Sequence, residues 1–202
     1  MTSFKITSMS NLELHNVSAE NVNYRGKDAL QIIENGEIGS GKALAIIPDS
    51  TFGDCVIETE IAGGLRSDAP EAMRGFVGIA FHVRPQGDQY ECFYIRPTNG
   101  RADDQLRRNH ATQYISHPDF PWFKLREEYP GVYESYTDLT PDEWTRIRIV
   151  VKGMRAELFV NGAEQPCLIV NDLKLGEVPG QIGLWIGLGT QAHFSDIQVT
   201  PL

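Results

Sequence analysis

Short apolar segments with a period of two recur along the whole chain and predict β-strands. In the segment FVGIAFHV, at 76–83, every second residue from Val77 to Val83 is large and apolar, and small residues and a histidine lie between them. The segments CVIETEI at 55–61 and WTRIRIVV at 144–151 alternate in the same way. Helical periodicity is scarce, so the pattern predicts a protein built almost entirely from strands.

Turn signals divide these strands into hairpins. The segment QYECFYIR at 89–96 follows FVGIAFHV after PQGD, which predicts a hairpin. Asn161-Gly162 suits a type I′ hairpin turn, because both central residues of that turn need positive φ. Pro130-Gly131 suits a type II turn between two further strands. About ten or more such strands favour an all-β fold, an antiparallel two-sheet sandwich or barrel. The sequence contains no repeat or linker, so one domain over residues 1–202 is expected.

One long segment interrupts the strand pattern, from residue 97 to residue 143. Loops longer than about 15 residues are uncommon in compact domains unless they carry function or structure of their own. We expect a hairpin at 122–138 and irregular polar chain over 97–121. Residues 96–126 hold six basic and three acidic side chains, a local charge of +3. Arginine forks beside aromatic rings suit a hydroxyl-rich or carboxylate-bearing ligand, so this insertion is predicted to form a binding site.

The net charge and the cysteine content limit the classes of partner and the cellular location that are expected. The 202 residues include 18 Lys and Arg against 27 Asp and Glu, a net charge of −9, which disfavours nucleic acid and anionic membrane surfaces as partners. The N-terminal sequence lacks the basic and apolar regions of a signal peptide, and no apolar run is long enough to span a membrane. Cys55, Cys92 and Cys167 have no metal-like spacing, so we expect free thiols and a cytoplasmic location.

The order of several segments resembles the concanavalin A-like lectin/glucanase superfamily. The segments are FVGIAFHV, QYECFYIRP, DEWTRIRIVVKG, AELFVNGAE and GQIGLWIGLGTQAHFSDIQV. Within the superfamily they are similar to laminin-G-like modules and to the bacterial 3-keto-disaccharide hydrolase domain family. The resemblance implies a jelly roll whose concave sheet and overlying loops bind carbohydrate. The acidic strand motif of its glucanases has a counterpart only in Glu58-Thr59-Glu60, which lacks the Asp and the third acid.

The candidate site residues come from the hairpin, the insertion and a late strand. Glu91 and His110 are the candidate acid/base groups, because a carboxyl group among apolar residues has a shifted pKa and His110 ends the polar run RRNH. Trp185 stands between glycines, where its ring could support a sugar. The residues predicted to contact substrate are His82, Tyr94, Arg96, Arg107, Asn109, Gln113, Tyr114, Trp122 and Trp185.

The sequence leaves three functions open, and it also leaves open whether the site holds a metal ion. A saccharide or other small polar ligand is the expected partner, either cleaved as a glycoside or keto-disaccharide or bound without reaction by a lectin-like module. The aromatic and arginine content of the insertion also suits a protein-interaction surface, including one between copies of the chain. No cofactor is predicted. A divalent metal held by His110 and His117, with Asp103, Asp104 or Asp119, is an alternative, although the spacing matches no recognised site.

Overall fold

A computed structural model of the protein describes residues 1–6, 11–35 and 43–202. Within these ranges the chain forms two antiparallel sheets and two short helices. In chain order the strands are β1 (Thr2–Phe4), β2 (Glu13–His15), β3 (Val17–Tyr24), β4 (Lys27–Glu34), β5 (Leu44–Phe52), β6 (Cys55–Leu65), β7 (Val77–Val83), β8 (Tyr90–Ile95), β9 (Thr112–His117), β10 (Glu134–Ser135), β11 (Thr145–Lys152), β12 (Arg155–Val160), β13 (Leu168–Val170), β14 (Gly180–Ile186), β15 (Thr190–Phe194) and β16 (Ile197–Pro201). The helices are α1 (Gln105–Asn109) and α2 (Trp122–Glu128), and a 3₁₀ turn spans Pro97–Asn99.

The two sheets have interleaved connections, as in a jelly roll. The first sheet runs β13-β12-β11-β6-β15-β4-β3, and β16 pairs with both β6 and β1. The second sheet runs β10-β9-β8-β7-β14-β5-β2. This antiparallel two-sheet sandwich confirms the predicted fold class.

Strict alternation along the strands builds the core between the sheets. On β6, Ile57, Thr59 and Ile61 are buried, whereas Glu58 and Glu60 lie on the outer face of the first sheet, as the sequence predicts. Glu60 pairs there with Lys27 across 2.5 Å. The glucanase-like pair of glutamates therefore faces away from the second sheet, which carries a cavity of about 810 Å³.

The insertion is more regular than the sequence indicates. Thr112–His117 forms β9 and pairs with β8 along its length, from Tyr90↔His117 to Ile95↔Thr112. The expectation of irregular chain over 97–121 was therefore wrong. No helix of the described ranges is long and apolar enough to cross a membrane.

The hairpin predicted at 122–138 was also wrong. Its first half is helix α2, in which Leu125 N–H bonds the carbonyl of Pro121 and Leu125 is the one buried side chain. Gly131 does adopt positive φ, 77°, but it joins a helix to β10. Asn161 and Gly162 adopt φ of 53° and 75° as predicted. The next strand begins only at Leu168, so that connection is longer than a two-residue turn.

The three cysteines are free, as expected. Burial raises the pKa of Cys55 to about 11 and that of Cys167 to about 12. Cys92 is fully enclosed, and burial raises its pKa well above the ordinary value. All three side chains are therefore protonated thiols at neutral pH and pack as small apolar groups.

Candidate functional site

A cavity of about 810 Å³ opens on the outer face of the second sheet. This volume is within the range of about 300–1,000 Å³ that is usual for small-molecule sites. Strands β8, β9 and β14 form its floor, and the insertion and the segment 72–76 form its walls. The lining residues are Ala43, Ala72, Met73, Arg74, Phe76, Tyr90, Tyr94, Arg96, Asn99, Arg107, His110, Ile115, His117, Trp122, Arg126, Trp185, Ile186, Gly187 and Leu188.

Stacked aromatic rings make up the floor of the cavity. Tyr94 stacks on Trp185 with ring centroids 4.7 Å apart, and Tyr90 stacks on His117 at 4.8 Å. The indole N–H of Trp185 donates to the Tyr90 hydroxyl at 3.1 Å, which joins the two stacks. Flat, apolar ring faces beside polar edges are the surfaces that bind the C–H side of a sugar ring.

A glycine between these strands makes the stacking possible. Gly78 pairs with Tyr94 on one side and with Trp185 on the other. A Cβ atom on Gly78 would lie 2.2 Å from the Phe93 carbonyl oxygen and 2.5 Å from the Tyr94 Cβ. The absence of a side chain at Gly78 therefore brings Tyr94 and Trp185 together over the middle strand.

We expect Gly78→Ala to lower the free energy of unfolding by about 1–3 kcal/mol, because the new methyl group meets backbone that has no room to move. Urea denaturation measures the loss, and near-ultraviolet circular dichroism should report the disturbed Tyr94–Trp185 stack. Gly53→Ala is the matched control, since the nearest atom to its new Cβ is 4.0 Å away. Equal stability of both variants would contradict the close approach at Gly78.

Four arginines line the cavity, whereas none of its described lining residues is an aspartate or glutamate. Arg96 is 5% exposed, and it donates to the His110 carbonyl at 2.8 Å, the Tyr94 hydroxyl at 3.0 Å and Gln113 Oε1 at 3.1 Å. Three of its five N–H donors are used in these bonds, so two are available to a ligand. Its charge is enclosed without a carboxylate partner among the described residues.

His110 is held at the cavity wall by a carboxylate from a distant strand. It follows α1, and its Nε2 lies 3.1 Å from Oε1 of the buried Glu134 on β10. Arg126 of α2 donates to both oxygens of Glu134, at 2.7 Å and 3.1 Å, and so fixes the carboxylate. Burial lowers the pKa of His110 below its ordinary 6.5, and Arg126 and Arg96 act in the same direction against the opposing effect of Glu134. His110 is therefore uncharged at neutral pH and can accept a proton.

The sequence matches the family of 3-keto-alpha-glucoside-1,2-lyase-like domains over residues 11–200. The chain belongs to this family. The resemblance noted from the segment order is thereby confirmed. No curated protein matches the chain in sequence.

Two solved structures share the fold of this family member at low identity. The carbohydrate binding module CBM66 from Bacillus subtilis is 10% identical, with a TM-score of 0.59 over 93% of this chain and 96% of that one. A Bacillus subtilis protein of unknown function with a galectin-like fold is 12% identical, with a TM-score of 0.64 over 98% of this chain and 94% of that one. At such identity the likeness concerns the fold.

Six of the residues predicted from the sequence line the cavity of this family member. Gln113 lies behind it and accepts a bond from Arg96, and Asn109 bonds Gln105 on the exposed side of α1. Neither reaches the cavity lining. The six are Tyr94, Arg96, Arg107, His110, Trp122 and Trp185.

Glu91 and Tyr114 lie on the other face of the second sheet, within the core. Glu91 alternates with the cavity-lining Tyr90 on β8, and Tyr114 occupies an inward position on β9. The Tyr114 hydroxyl donates to Glu91 Oε2 at 2.5 Å, and the backbone N–H of Leu175 donates to Glu91 Oε1 at 2.7 Å. These bonds attach the connection before β14 to the sheet. Glu91 and Tyr114 therefore have a structural position, away from any ligand in the cavity.

His82 is likewise outside the cavity. It is 3% exposed at the end of β7, with φ of 52°. A Cβ on Gly180 would lie 2.3 Å from the His82 carbonyl carbon, so the two backbones are in close contact. Burial lowers the pKa of His82 to about 4, which keeps its ring uncharged. Gly78, four positions before His82 on β7, is the small residue that lies between Tyr94 and Trp185, and His82 is not among the residues that line the cavity.

The metal alternative lacks its oxygen ligands. His110 and His117 both line the cavity, but Asp104 caps α1 by accepting the Arg107 N–H at 2.7 Å. Over the described ranges, no three His, Cys, Asp or Glu side chains are grouped so that they could hold a metal ion.

Sequence reasoning missed three charged residues of the site: Arg74, Arg126 and Glu134. Glu134 is brought to His110 because the two-residue strand β10 pairs with β9 at Gln113. Arg126 reaches it from α2, which was predicted as a strand. The +3 charge of residues 96–126 includes Arg126, whereas no signal in the sequence pointed to Arg74 or Glu134.

Proposed function

We propose that the cavity binds a saccharide and that the protein cleaves α-glucosides carrying a ketone at C3, by elimination between C1 and C2. The observation that carries the proposal is the uncharged His110, which lies beside Glu134 in a cavity where only one of the four lining arginines, Arg126, pairs with a carboxylate among the described residues. The chemistry named by the family description requires a base of this kind and a positive environment.

The base in this proposal is His110 Nδ1. The C3 ketone acidifies the hydrogen on C2, and Nδ1 removes it as a proton. The electron pair released forms the C1=C2 double bond, the C1–O bond breaks, and the departing alkoxide takes up a proton to leave as an alcohol. Glu134 beside Nε2 favours the proton of the neutral ring on that nitrogen. No described residue hydrogen-bonds Nδ1, so its lone pair is available.

Arg96 would stabilise the negative charge that develops on the ketone oxygen. Its guanidinium is enclosed, and bonds to the Tyr94 hydroxyl and Gln113 hold it in place. Fixed donors in a site that excludes water stabilise a developing oxyanion far more than mobile donors in solvent do. The stacked rings of Tyr94 and Trp185 would support the apolar face of the sugar.

A non-catalytic carbohydrate-binding module is the second candidate. It is favoured by Trp122, which is 44% exposed at the cavity rim with the Arg126 guanidinium 4.8 Å from its ring centroid. An exposed ring of this kind is typical of lectin surfaces. The enclosed His110–Glu134 pair favours the enzyme, because a binding module has no need of a positioned base.

The deciding experiment compares p-nitrophenyl 3-keto-α-glucopyranoside with its unoxidised parent, each against an enzyme-free blank. We expect release of nitrophenol from the keto compound alone, with a primary isotope effect when C2 carries deuterium. Equal cleavage of both compounds would indicate ordinary glycoside hydrolysis. Binding of both without turnover would indicate the binding module instead.

A further inference from the structure

A second cavity of about 520 Å³ adjoins the first and shares four lining residues with it. The two share a wall made by the segment 72–74 and by Arg107. The second cavity differs in character, because no aromatic ring is among its described lining residues, which are Leu65, Glu71, Ala72, Met73, Arg74, Thr98 and Arg107. A sugar ring would therefore stack in the first cavity, and the group attached to it would extend into the second.

The guanidinium groups of Arg74 and Arg107 border both cavities and have spare donors. Arg74 uses only Nη1, which donates to the carbonyls of Glu71 and Met73 at 2.7 Å and 2.8 Å. Arg107 makes two long bonds, to Asn99 Oδ1 and to the Thr98 carbonyl, each 3.4 Å. Each side chain thus retains three N–H donors without a partner in the described chain.

Neither guanidinium is neutralised by the protein. None of the ion pairs among the described residues includes Arg74, Arg96 or Arg107. Burial is the largest cause that lowers the pKa of Arg74, and the nearby Arg107 and Arg96 act in the same direction against the opposing effect of Glu71. Like charges held this close in a chain of net charge −9 are stabilised by an anion that binds between them.

We propose that the second cavity is the subsite for the leaving group and that it selects an alcohol bearing a carboxylate, so that the substrate is an acidic glycoside such as a glucosyl aldonate. This inference rests on the proposed function, because it assigns the departing half of the same substrate. The second cavity is lined by two arginines and by one acidic residue, Glu71, so its net charge is +1. This charge matches a monoanion. A guanidinium fork also fits the planar carboxylate in a two-bond geometry.

The test uses a matched ligand pair, maltobionate and maltitol, which differ in a carboxylate against a CH₂OH group. Calorimetry measures binding of the unoxidised pair, and kcat/KM is measured on the 3-keto forms. We expect the carboxylate compound to be favoured about 10- to 100-fold. Arg74→Gln and Arg107→Gln should each remove most of that preference, which is measured within each variant as the ratio of the maltobionate value to the maltitol value. Arg101→Gln is the control, since Arg101 pairs with Asp138 at the surface and loses the same charge.

The possible outcomes separate this inference from the proposed function. Equal turnover of the two keto compounds would leave the lyase in place and overturn the carboxylate subsite. The wild type could instead bind maltobionate in preference to maltitol, lose that preference in Arg74→Gln and Arg107→Gln, and turn over neither keto compound. That result would support the subsite and overturn the lyase. A preference that survives both substitutions, or the absence of binding and turnover for both compounds, would overturn the subsite.

Discussion

Replacing His110 by glutamine should lower kcat on a 3-keto-α-glucoside by about 10²- to 10⁴-fold and leave KM nearly unchanged. The proton on C2 then has no base, whereas the aromatic floor and Arg96 still bind the sugar. The wild-type rate should fall as the pH drops below the pKa of His110, because a protonated imidazole cannot accept a proton. That limb should lie below pH 6.5, since burial lowers the pKa of this histidine.

Glu134→Gln separates the positioning role of Glu134 from the base itself. Glu134 raises the pKa of His110, so its loss should move the acid limb of kcat to lower pH, a shift that a purely structural residue would not cause. His15→Gln is the control for His110→Gln and should keep the wild-type kcat, because His15 lies near the surface and pairs with Glu13. Turnover by His110→Gln within about threefold of the wild type would remove His110 from the base role.

The hairpin of β7 and β8 could be predicted because β7 shows the period of two without interruption and the turn residues PQGD separate it from the next strand. The same alternation correctly placed Tyr94 and Arg96 on one face of β8 and Glu91 on the other. Which face carries the cavity does not follow from the pattern, because every residue of β8 is buried. The insertion covers the outer face, so both sides of the strand look like core. Glu91 was therefore as plausible a site residue as Tyr94.

The charged part of the site depends on pairings that no local pattern contains. Glu134 belongs to a strand of two residues, which has too little alternation to be recognised. Its contact with His110 follows from the pairing of β10 with β9, in which Glu134 lies opposite Gln113. The polar sequence of β9 did not indicate a strand. The segment FKLREEY has one buried residue, Leu125, and its short pattern fits a helix as well as a strand.

The free energy of unfolding of the wild type should fall relative to that of Glu91→Gln as the pH rises. Burial raises the pKa of this carboxyl group above its ordinary 4.5, against the opposing effect of the bonds from Tyr114 and Leu175. As the pH rises through 4.5 the unfolded chain ionises at Glu91 while the folded chain keeps its proton. The contribution of Glu91 to stability is therefore fully present below pH 4.5 and declines toward the raised pKa of the folded state.

Urea denaturation of the two proteins at steps from about pH 4 to pH 7 measures this difference. The free energy of unfolding of the wild type, taken relative to Glu91→Gln, should fall with a slope of at most about 1.4 kcal/mol per pH unit. Glu58→Gln is the matched control, because Glu58 is exposed on the outer face of the first sheet. A difference that stays constant over the whole range would mean that Glu91 is ionised in the folded core. The connection at Leu175 would then be attached by a charged carboxylate, whose two bonds would have to offset the full cost of burying the charge.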